Sequence, residues 1–306
     1  MMIDNAPESA AKRSRDGIFS ALIAYVMWGF LPIYFIVVKA VPAFEVLSHR
    51  IIWAVPFGAL IIAVRGQWSE VRGAIANRTT LSYLAVTAVL IAGNWLVYVF
   101  AVQAGQILQA SLGYYITPML FALVGIFVLG EQLRKQQVAA IGLAGIGVAV
   151  LAVSGGTFPV IAIFLGITFT IYGVLRKKVV VGAMPGLFVE TIVLLPFALS
   201  YLAWQVTRGD ATFIHGGAGV SWLLTLAGPL TVVPLVFFAL AAKRLMLATI
   251  GMMQFIGPTI QFFIGLINGE RLTTAHIICF VCIWGAAVVF SLDAWGHRRP
   301  KKEIVT

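Results

Sequence analysis

Charged residues are scarce in this chain, and their scarcity excludes a water-soluble domain. Only 10% of the residues are Asp, Glu, Lys or Arg, whereas 61% are hydrophobic and the mean hydropathy is +1.00. So much apolar surface has no place away from water except a lipid bilayer. The composition therefore predicts an integral membrane protein.

Motifs of nucleotide hydrolysis, zinc proteolysis and acyl transfer are also missing. The sequence contains no G-x-x-x-x-G-K-[ST], no H-E-x-x-H and no nucleophile elbow. Cys279 and Cys282 have C-x-x-C spacing but no second pair of ligands, which disfavours a zinc or redox site. The net charge of +10 comes with neither a soluble module nor a basic helix for nucleic acid. We therefore expect no enzymatic activity, cofactor, metal or nucleic-acid partner.

Long apolar segments make up most of the chain. A helix needs about 20 residues to cross roughly 30 Å of hydrocarbon, and lipid cannot satisfy free backbone groups, so spanning segments must be helices. Ten spans can be drawn, at about 17 to 38, 44 to 64, 80 to 102, 108 to 129, 136 to 154, 158 to 175, 185 to 206, 219 to 241, 246 to 268 and 273 to 294. The predicted fold is all-α, with ten transmembrane helices.

Two stretches of the chain repeat each other. Ala110-Ser111-Leu112-Gly113, Pro118 and Gly130-Glu131-Gln132-Leu133 return as Ala248-Thr249-Ile250-Gly251, Pro258 and Gly269-Glu270-Arg271-Leu272. Five spans separate the copies, and an odd number of crossings inverts the second copy relative to the first. Inverted repeats of this kind are typical of secondary transporters. The sequence thus predicts two inverted five-helix repeats, 17–154 and 158–294.

The basic residues predict the orientation in the membrane. Of the 21 Lys and Arg residues, Arg50 lies within a span and Lys39, Arg208 and Arg271 fall on one side, which leaves seventeen on the other. Lys and Arg in short loops stay on the cytoplasmic side. Both termini are therefore expected in the cytoplasm, and the excess positive charge also suits anionic lipid.

Span 2 contains the most informative polar residues. An ionised side chain at the centre of a spanning helix costs about 2.5 to 3.5 kcal/mol, and this span holds Glu45, His49 and Arg50. Glu45, His49 and Trp53 follow at four-residue intervals and share a face. The cluster either binds a charged substrate group or a coupling proton, or it anchors a helix end, with Glu45 at the outer interface and Arg50 extending to water.

Other candidate ligand-binding residues lie on spans 1, 3, 4, 6 and 9. Asn94 and Tyr98 share a face of span 3, where a mid-membrane amide bonds either a substrate or another helix. Gly113 on span 4 and Gly251 on span 9 allow another backbone to come close. These two spans either line a substrate pocket or simply pack tightly against neighbouring helices. The full predicted substrate-binding set is Trp28, Tyr34, His49, Arg50, Asn94, Tyr98, Ser111, Tyr114, Tyr115, Tyr172 and Gln254, expected to line one central cavity.

The chain resembles the drug/metabolite transporter superfamily, in particular its EamA-type, RarD-like (chloramphenicol-sensitive) members. The resemblance rests on these motifs: Tyr25-Val26-Met27-Trp28-Gly29 with Pro32 and Tyr34, Glu45 through His49-Arg50, Asn94-Trp95 with Tyr98, Ser111-Leu112-Gly113-Tyr114-Tyr115-Ile116 with Pro118, Gly130-Glu131, Tyr172-Gly173 with Arg176-Lys177, and Gly228-Pro229 to Pro234-Leu235. It implies a five-plus-five inverted architecture with a cavity between the halves, lined by helices equivalent to spans 1, 3, 4, 6, 8 and 9.

We therefore expect a transporter of the bacterial inner membrane that moves a small organic solute outward by alternating access. A coupling proton is a further candidate partner, and the oligomeric state is not predicted. The alternatives are a passive small-solute channel, or a membrane-embedded sensor or enzyme, which the missing catalytic motif and soluble domain disfavour.

Overall fold

The computed structural model describes residues 10–129, 134–154, 158–245, 249–250 and 253–296, and the regular elements of these residues are helices. They are α1 (Ala10–Val37), α2 (Ala43–Val64), α3 (Trp68–Ala76), α4 (Arg78–Gln103), α5 (Ile107–Leu129), α6 (Lys135–Ser154), α7 (Val160–Lys177), α8 (Ala183–Arg208), α9 (Thr212–His215), α10 (Gly217–Ala242), α11 (Ile256–Ile267) and α12 (Thr274–Gly296). The predicted all-α class is confirmed for this part of the chain.

Eight of the described helices are long and apolar enough to cross a membrane. They are α1, α2, α4, α6, α7, α8, α10 and α12. Two further apolar helices, α5 with 23 residues and α11 with 12, pack among them. The chain is therefore a multi-pass membrane protein.

Helices from the two predicted repeats interleave. α10 packs against α1 and α2, α7 packs against α4 and α5, and α11 packs against α1 and α5. α2 also packs against α8, and α6 against α12. The centre of the molecule is therefore built by both halves of the chain.

Glycines permit close backbone contact at two of these crossings. A Cβ added at Gly113 of α5 would lie 2.8 Å from the carbonyl oxygen of Ala162 on α7, as expected for a seam of small residues. A Cβ at Gly228 of α10 would lie 2.5 Å from the carbonyl oxygen of Trp53 on α2. A larger residue at either position would have to push two helices apart.

Glu270 caps the start of α5 from the loop that precedes α12. Its carboxylate accepts hydrogen bonds from the backbone N–H groups of Ile107, at 2.5 Å, and Leu108, at 2.9 Å. An anion at a helix N-terminus satisfies free donors and complements the helix dipole. Burial raises the pKa of Glu270, and the two backbone donors act in the opposite direction. These hydrogen bonds join the loop before α12 to a helix in the first half of the chain.

Part of the sequence repeat lies outside the described residues. This applies to Gly130-Glu131-Gln132-Leu133 in the first copy and to Ala248 and Gly251 in the second. Thr249 and Ile250 are helical, and Pro258 lies in the first turn of α11.

Candidate functional site

Arg50 is buried in the middle of the molecule. It is 5% exposed, and its Nε donates a hydrogen bond to Oγ1 of Thr231 on α10 at 2.7 Å. The Thr231 hydroxyl donates in turn to the carbonyl oxygen of Ala227 at 2.8 Å. The guanidinium carbon lies 4.1 Å from the ring centroid of Trp95 on α4, within cation–π range. The interpretation of Arg50 as an anchor that extends to water is therefore wrong.

Several buried polar atoms in this region have no hydrogen-bond partner among the residues that the structure describes. They are Nη1 of Arg50 and the hydroxyl of Tyr98, and also Nε1 of Trp53 and both ring nitrogens of His49, which lie beside Phe213. Arg50 also forms no ion pair with any Asp or Glu among the described residues. Because buried polar groups are normally hydrogen-bonded, these unbonded atoms single out this part of the molecule as a candidate site.

Three tyrosines from α1, α4 and α5 are linked to the guanidinium through ring contacts. The rings of Tyr34 and Tyr98 lie 5.2 and 5.9 Å from that of Phe35, and the Arg50 guanidinium carbon lies 5.9 Å from the Phe35 centroid. Tyr34 donates to the carbonyl oxygen of Leu223 at 3.0 Å, and the Tyr98 and Tyr114 rings meet edge to face at 5.6 Å. The structure thus brings four members of the predicted set together: Tyr34, Arg50, Tyr98 and Tyr114.

Asn94 connects Tyr114 of this group to α7 by hydrogen bonds. Its Nδ2 donates to the carbonyl oxygen of Leu165 at 3.0 Å and to Oγ1 of Thr168 at 2.9 Å, both on α7. Its Oδ1 accepts a hydrogen bond from the Tyr114 hydroxyl at 3.0 Å. Of the two interpretations of Asn94, this arrangement favours interhelical bonding, which joins α4, α5 and α7 and orients Tyr114.

Glu45 binds the start of the short helix α9. Its carboxylate accepts from the Thr212 hydroxyl at 2.7 Å and from the Phe213 backbone N–H at 3.0 Å, at the start of α9. The Phe213 ring then stacks on His49, with centroids 4.7 Å apart. Glu45 is 0% exposed although it lies in the first turn of α2, so α9 covers this end of the helix. The sequence shows the 207–218 segment only as a polar loop, with no strong signal for α9.

Tyr172 belongs to a second polar cluster, formed with Glu190 of α8. Glu190 accepts from the Thr87 hydroxyl at 2.7 Å and the Tyr172 hydroxyl at 3.3 Å, and Nε of Arg176 lies 3.5 Å from its Oε1. Glu190 is 0% exposed although its side chain is ionisable. Sequence reasoning missed this cluster because its members lie on three helices.

Tyr115 lies in a third group, away from Arg50. Its hydroxyl is 2.6 Å from Oγ1 of Thr259 and accepts from Nε1 of Trp284 at 2.8 Å. A groove of about 470 Å³ passes these side chains between α5, α11 and α12. Ser111, one turn earlier on α5, is buried and donates only to the carbonyl oxygen of Leu108.

The remaining members of the predicted set lie elsewhere. Trp28 packs against Tyr25 and Phe238 on the side of α1 that faces α10. Gln254 is half-buried in the turn before α11. The structure therefore does not gather the predicted set around one central cavity, and the substrate role of each residue stays a prediction.

The cysteines pack as small apolar residues. Cys279 is buried, and a Cβ added at Gly147 of α6 would lie 3.0 Å from its carbonyl oxygen and 2.8 Å from Cβ of Cys282. Within the described part of the chain, no group of three or more His, Cys, Asp or Glu side chains could hold a metal ion.

Comparison with known proteins places this architecture among transporters. Residues 15–153 match the EamA-like transporter family. A protein of Vibrio cholerae named "Uncharacterized transporter" is 43% identical over 281 residues, covering 92% of this chain and 93% of that protein. "Protein RarD" of Escherichia coli is 40% identical over 297 residues, covering 95% and 99%.

One solved structure shares the fold. It is described only as the crystal structure of a protein, and it matches with a TM-score of 0.62 and 18% identity over 94% of this chain and 100% of that one. At this identity the match concerns the fold alone. The relatives carry the assignment, since they match nearly full length at about 40% identity. The chain therefore belongs to the EamA-like transporter family, among its RarD-like members.

Proposed function

We propose that this protein is a secondary transporter that exports a small organic solute by alternating access. The observation that supports this most is the Arg50 group, in which free buried donors lie where helices of both halves meet. Arg50 and Tyr98 come from α2 and α4 of the first half, and Thr231 comes from α10 of the second. A site between two halves is exposed to either side when one half moves against the other.

The proposal includes ten spanning helices in two inverted repeats. In it, α1, α2, α4, α5 and α6 correspond in order to α7, α8, α10, α11 and α12. The packing supports this correspondence: the contacts of α1 with α10, α2 with α10 and α5 with α7 have counterparts in those of α7 with α4, α8 with α4 and α11 with α1. The pairs α2 with α8, α5 with α11 and α6 with α12 map onto themselves.

We further propose that both termini face the cytoplasm of a bacterium, with the protein in its inner membrane. The distribution of Lys and Arg residues supports this orientation. A proton is the coupling ion in this proposal. His49 and Glu190 are candidate carriers because both are buried titratable side chains within spanning helices.

Counterflow in proteoliposomes tests transport directly. A thermal-shift screen of amino acids, nucleobases and amphenicol drugs first identifies a ligand, because a compound that binds only the folded state raises its stability. We expect uptake of the labelled ligand to saturate, to accelerate when unlabelled ligand is present inside, and to respond to an imposed pH gradient. Flux that neither saturates nor responds to ligand on the far side would instead indicate a passive channel.

A further inference from the structure

We propose that the Arg50 guanidinium binds the carboxylate of the transported solute, so that small organic monocarboxylates are the substrate class. This inference rests on the proposed transport function and adds the chemistry of its ligand. It starts from a buried positive charge at the meeting point of α2, α4 and α10 whose hydrogen-bonding capacity is only partly used.

The protein does not itself supply a negative charge to Arg50. No Asp or Glu in the described ranges forms an ion pair with it. The buried acids of the neighbouring helices are occupied: Glu45 accepts two hydrogen bonds from α9, and Glu190 pairs with Arg176. A buried charge without a partner is unfavourable, so an anion that enters beside Arg50 is stabilised by the charge it meets.

The free donors fit a carboxylate. Nε of Arg50 is bonded to Thr231 and Trp95 lies against the guanidinium, whereas Nη1 is buried and unbonded. Guanidinium donors match the two oxygens of a carboxylate in a planar, charge-assisted arrangement. The Tyr98 hydroxyl is also buried without a hydrogen-bond partner among the described residues, and the Tyr98 ring contacts Phe35, over which the guanidinium lies, so it provides a further donor.

The residues around Arg50 favour a ligand that carries one negative charge and is otherwise apolar. Arg176, a half-buried arginine on α7, is already paired with Glu190, so a doubly charged group such as phosphate would keep one charge uncompensated. The ring faces of Phe35 and Trp95 lie against the guanidinium. Sites for small organic ligands are usually apolar with a few placed polar groups, and this arrangement suits a carboxylate on a flat or aliphatic body.

Paired probes on the purified full-length protein test the assignment. Monocarboxylates from acetate to indole-3-acetate are each compared with their own primary amide and amine by thermal unfolding in detergent at pH 7.5 and constant ionic strength, with chloride as the inorganic anion. We expect at least one acid to raise the unfolding temperature in a concentration-dependent way. Its amide, its amine and chloride should leave the unfolding temperature unchanged.

Three variants test whether Arg50 is the group responsible. Arg50→Gln should weaken binding of the stabilising acid by about tenfold or more, because hydrogen bonds to charged groups are the strong ones. Tyr98→Phe should weaken it several-fold without removing the charge, and it gives the answer if Arg50→Gln does not fold. Arg72→Gln, at an exposed position on α3, should bind the acid as the wild type does.

Stabilisation by amides as strong as by acids overturns the assignment, as does the absence of stabilisation by any acid. Wild-type binding of the acid by both Arg50→Gln and Tyr98→Phe overturns it too. The proposed function fails separately. If an amide or amine shows counterflow, transport stands and the carboxylate assignment falls, whereas an acid that binds through Arg50 but shows no counterflow contradicts transport alone.

Discussion

Arg50, which is buried, and Arg176, which is half-buried, have different partners. Arg176 has a carboxylate 3.5 Å away in Glu190, which also accepts hydrogen bonds from Thr87 and Tyr172. The contacts of Arg50 among the described residues are with a threonine hydroxyl and ring faces. We therefore interpret the Arg176–Glu190 contact as a structural ion pair, and we propose a ligand as the negatively charged partner of Arg50.

This difference predicts the effect of removing the charge of Glu190. Glu190→Gln removes the counter-charge of Arg176, whose side chain is 13% exposed, and breaking such a largely buried pair costs about 3 kcal/mol. We expect a loss of that size in the free energy of unfolding, measured by denaturant titration in detergent. The double variant Glu190→Gln with Arg176→Gln is the control and should recover most of the loss. Two single losses that simply add in the double variant would contradict the ion pair.

How far a residue's role can be predicted from sequence depends on where its partners lie. His49 and Arg50 stand out because titratable side chains are rare in an apolar span. Thr231 does not stand out in the sequence, because threonine in such a helix usually bonds its own backbone. Its contact with Arg50 joins residues that are 181 positions apart. The same holds for Glu190, whose partners Thr87 and Tyr172 lie on other helices.

At the level of helices, the close approach of α2 and α10 positions Thr231 beside Arg50. Gly228 lies three residues before Thr231, on the part of α10 that touches the Trp53 backbone. The backbones come this close because Gly228 has no side chain. The same crossing joins the two halves of the chain, so its geometry affects both stability and the candidate site.

Gly228→Ala should therefore destabilise the protein. The added Cβ would lie 2.5 Å from the carbonyl oxygen of Trp53, and backbone cannot rotate away as a side chain can. Overpacking of this kind typically costs about 1 to 3 kcal/mol, which a thermal or denaturant unfolding curve would detect. Gly219→Ala is the matched control on the same helix, where a Cβ meets nothing within 4 Å. Equal stability of the two variants would contradict the close crossing.

Helix positions were more predictable than helix contacts. The predicted span 44 to 64 corresponds to Ala43–Val64, and 136 to 154 to Lys135–Ser154, because apolar runs of that length leave few choices. α3 and α9 were missed, since nine and four residues in polar loops carry little periodic signal. The contact of Glu270 with the start of α5 could not be predicted either, because it joins the ends of distant segments.

At the scale of the whole molecule, the proposed alternating access requires two halves that run in opposite directions through the membrane. The sequence repeat motivates this arrangement, and the exchange symmetry of the helix contacts supports it. An inverted pair of halves also places the α1–α2 loop and the α7–α8 loop, which are equivalent in the repeat, on opposite faces of the membrane. Exposed positions in both loops make this testable.

Cysteine labelling at these two loops shows whether the two halves are inverted. Ala40 and Val180 are exposed, and each is replaced singly by cysteine in a background where Cys279 and Cys282 are alanine. A membrane-impermeant maleimide applied to intact spheroplasts should modify the cysteine at position 40 and not the one at 180, and lysis should make both reactive. Modification of both positions from the outside, or of neither before lysis, would contradict the inverted architecture.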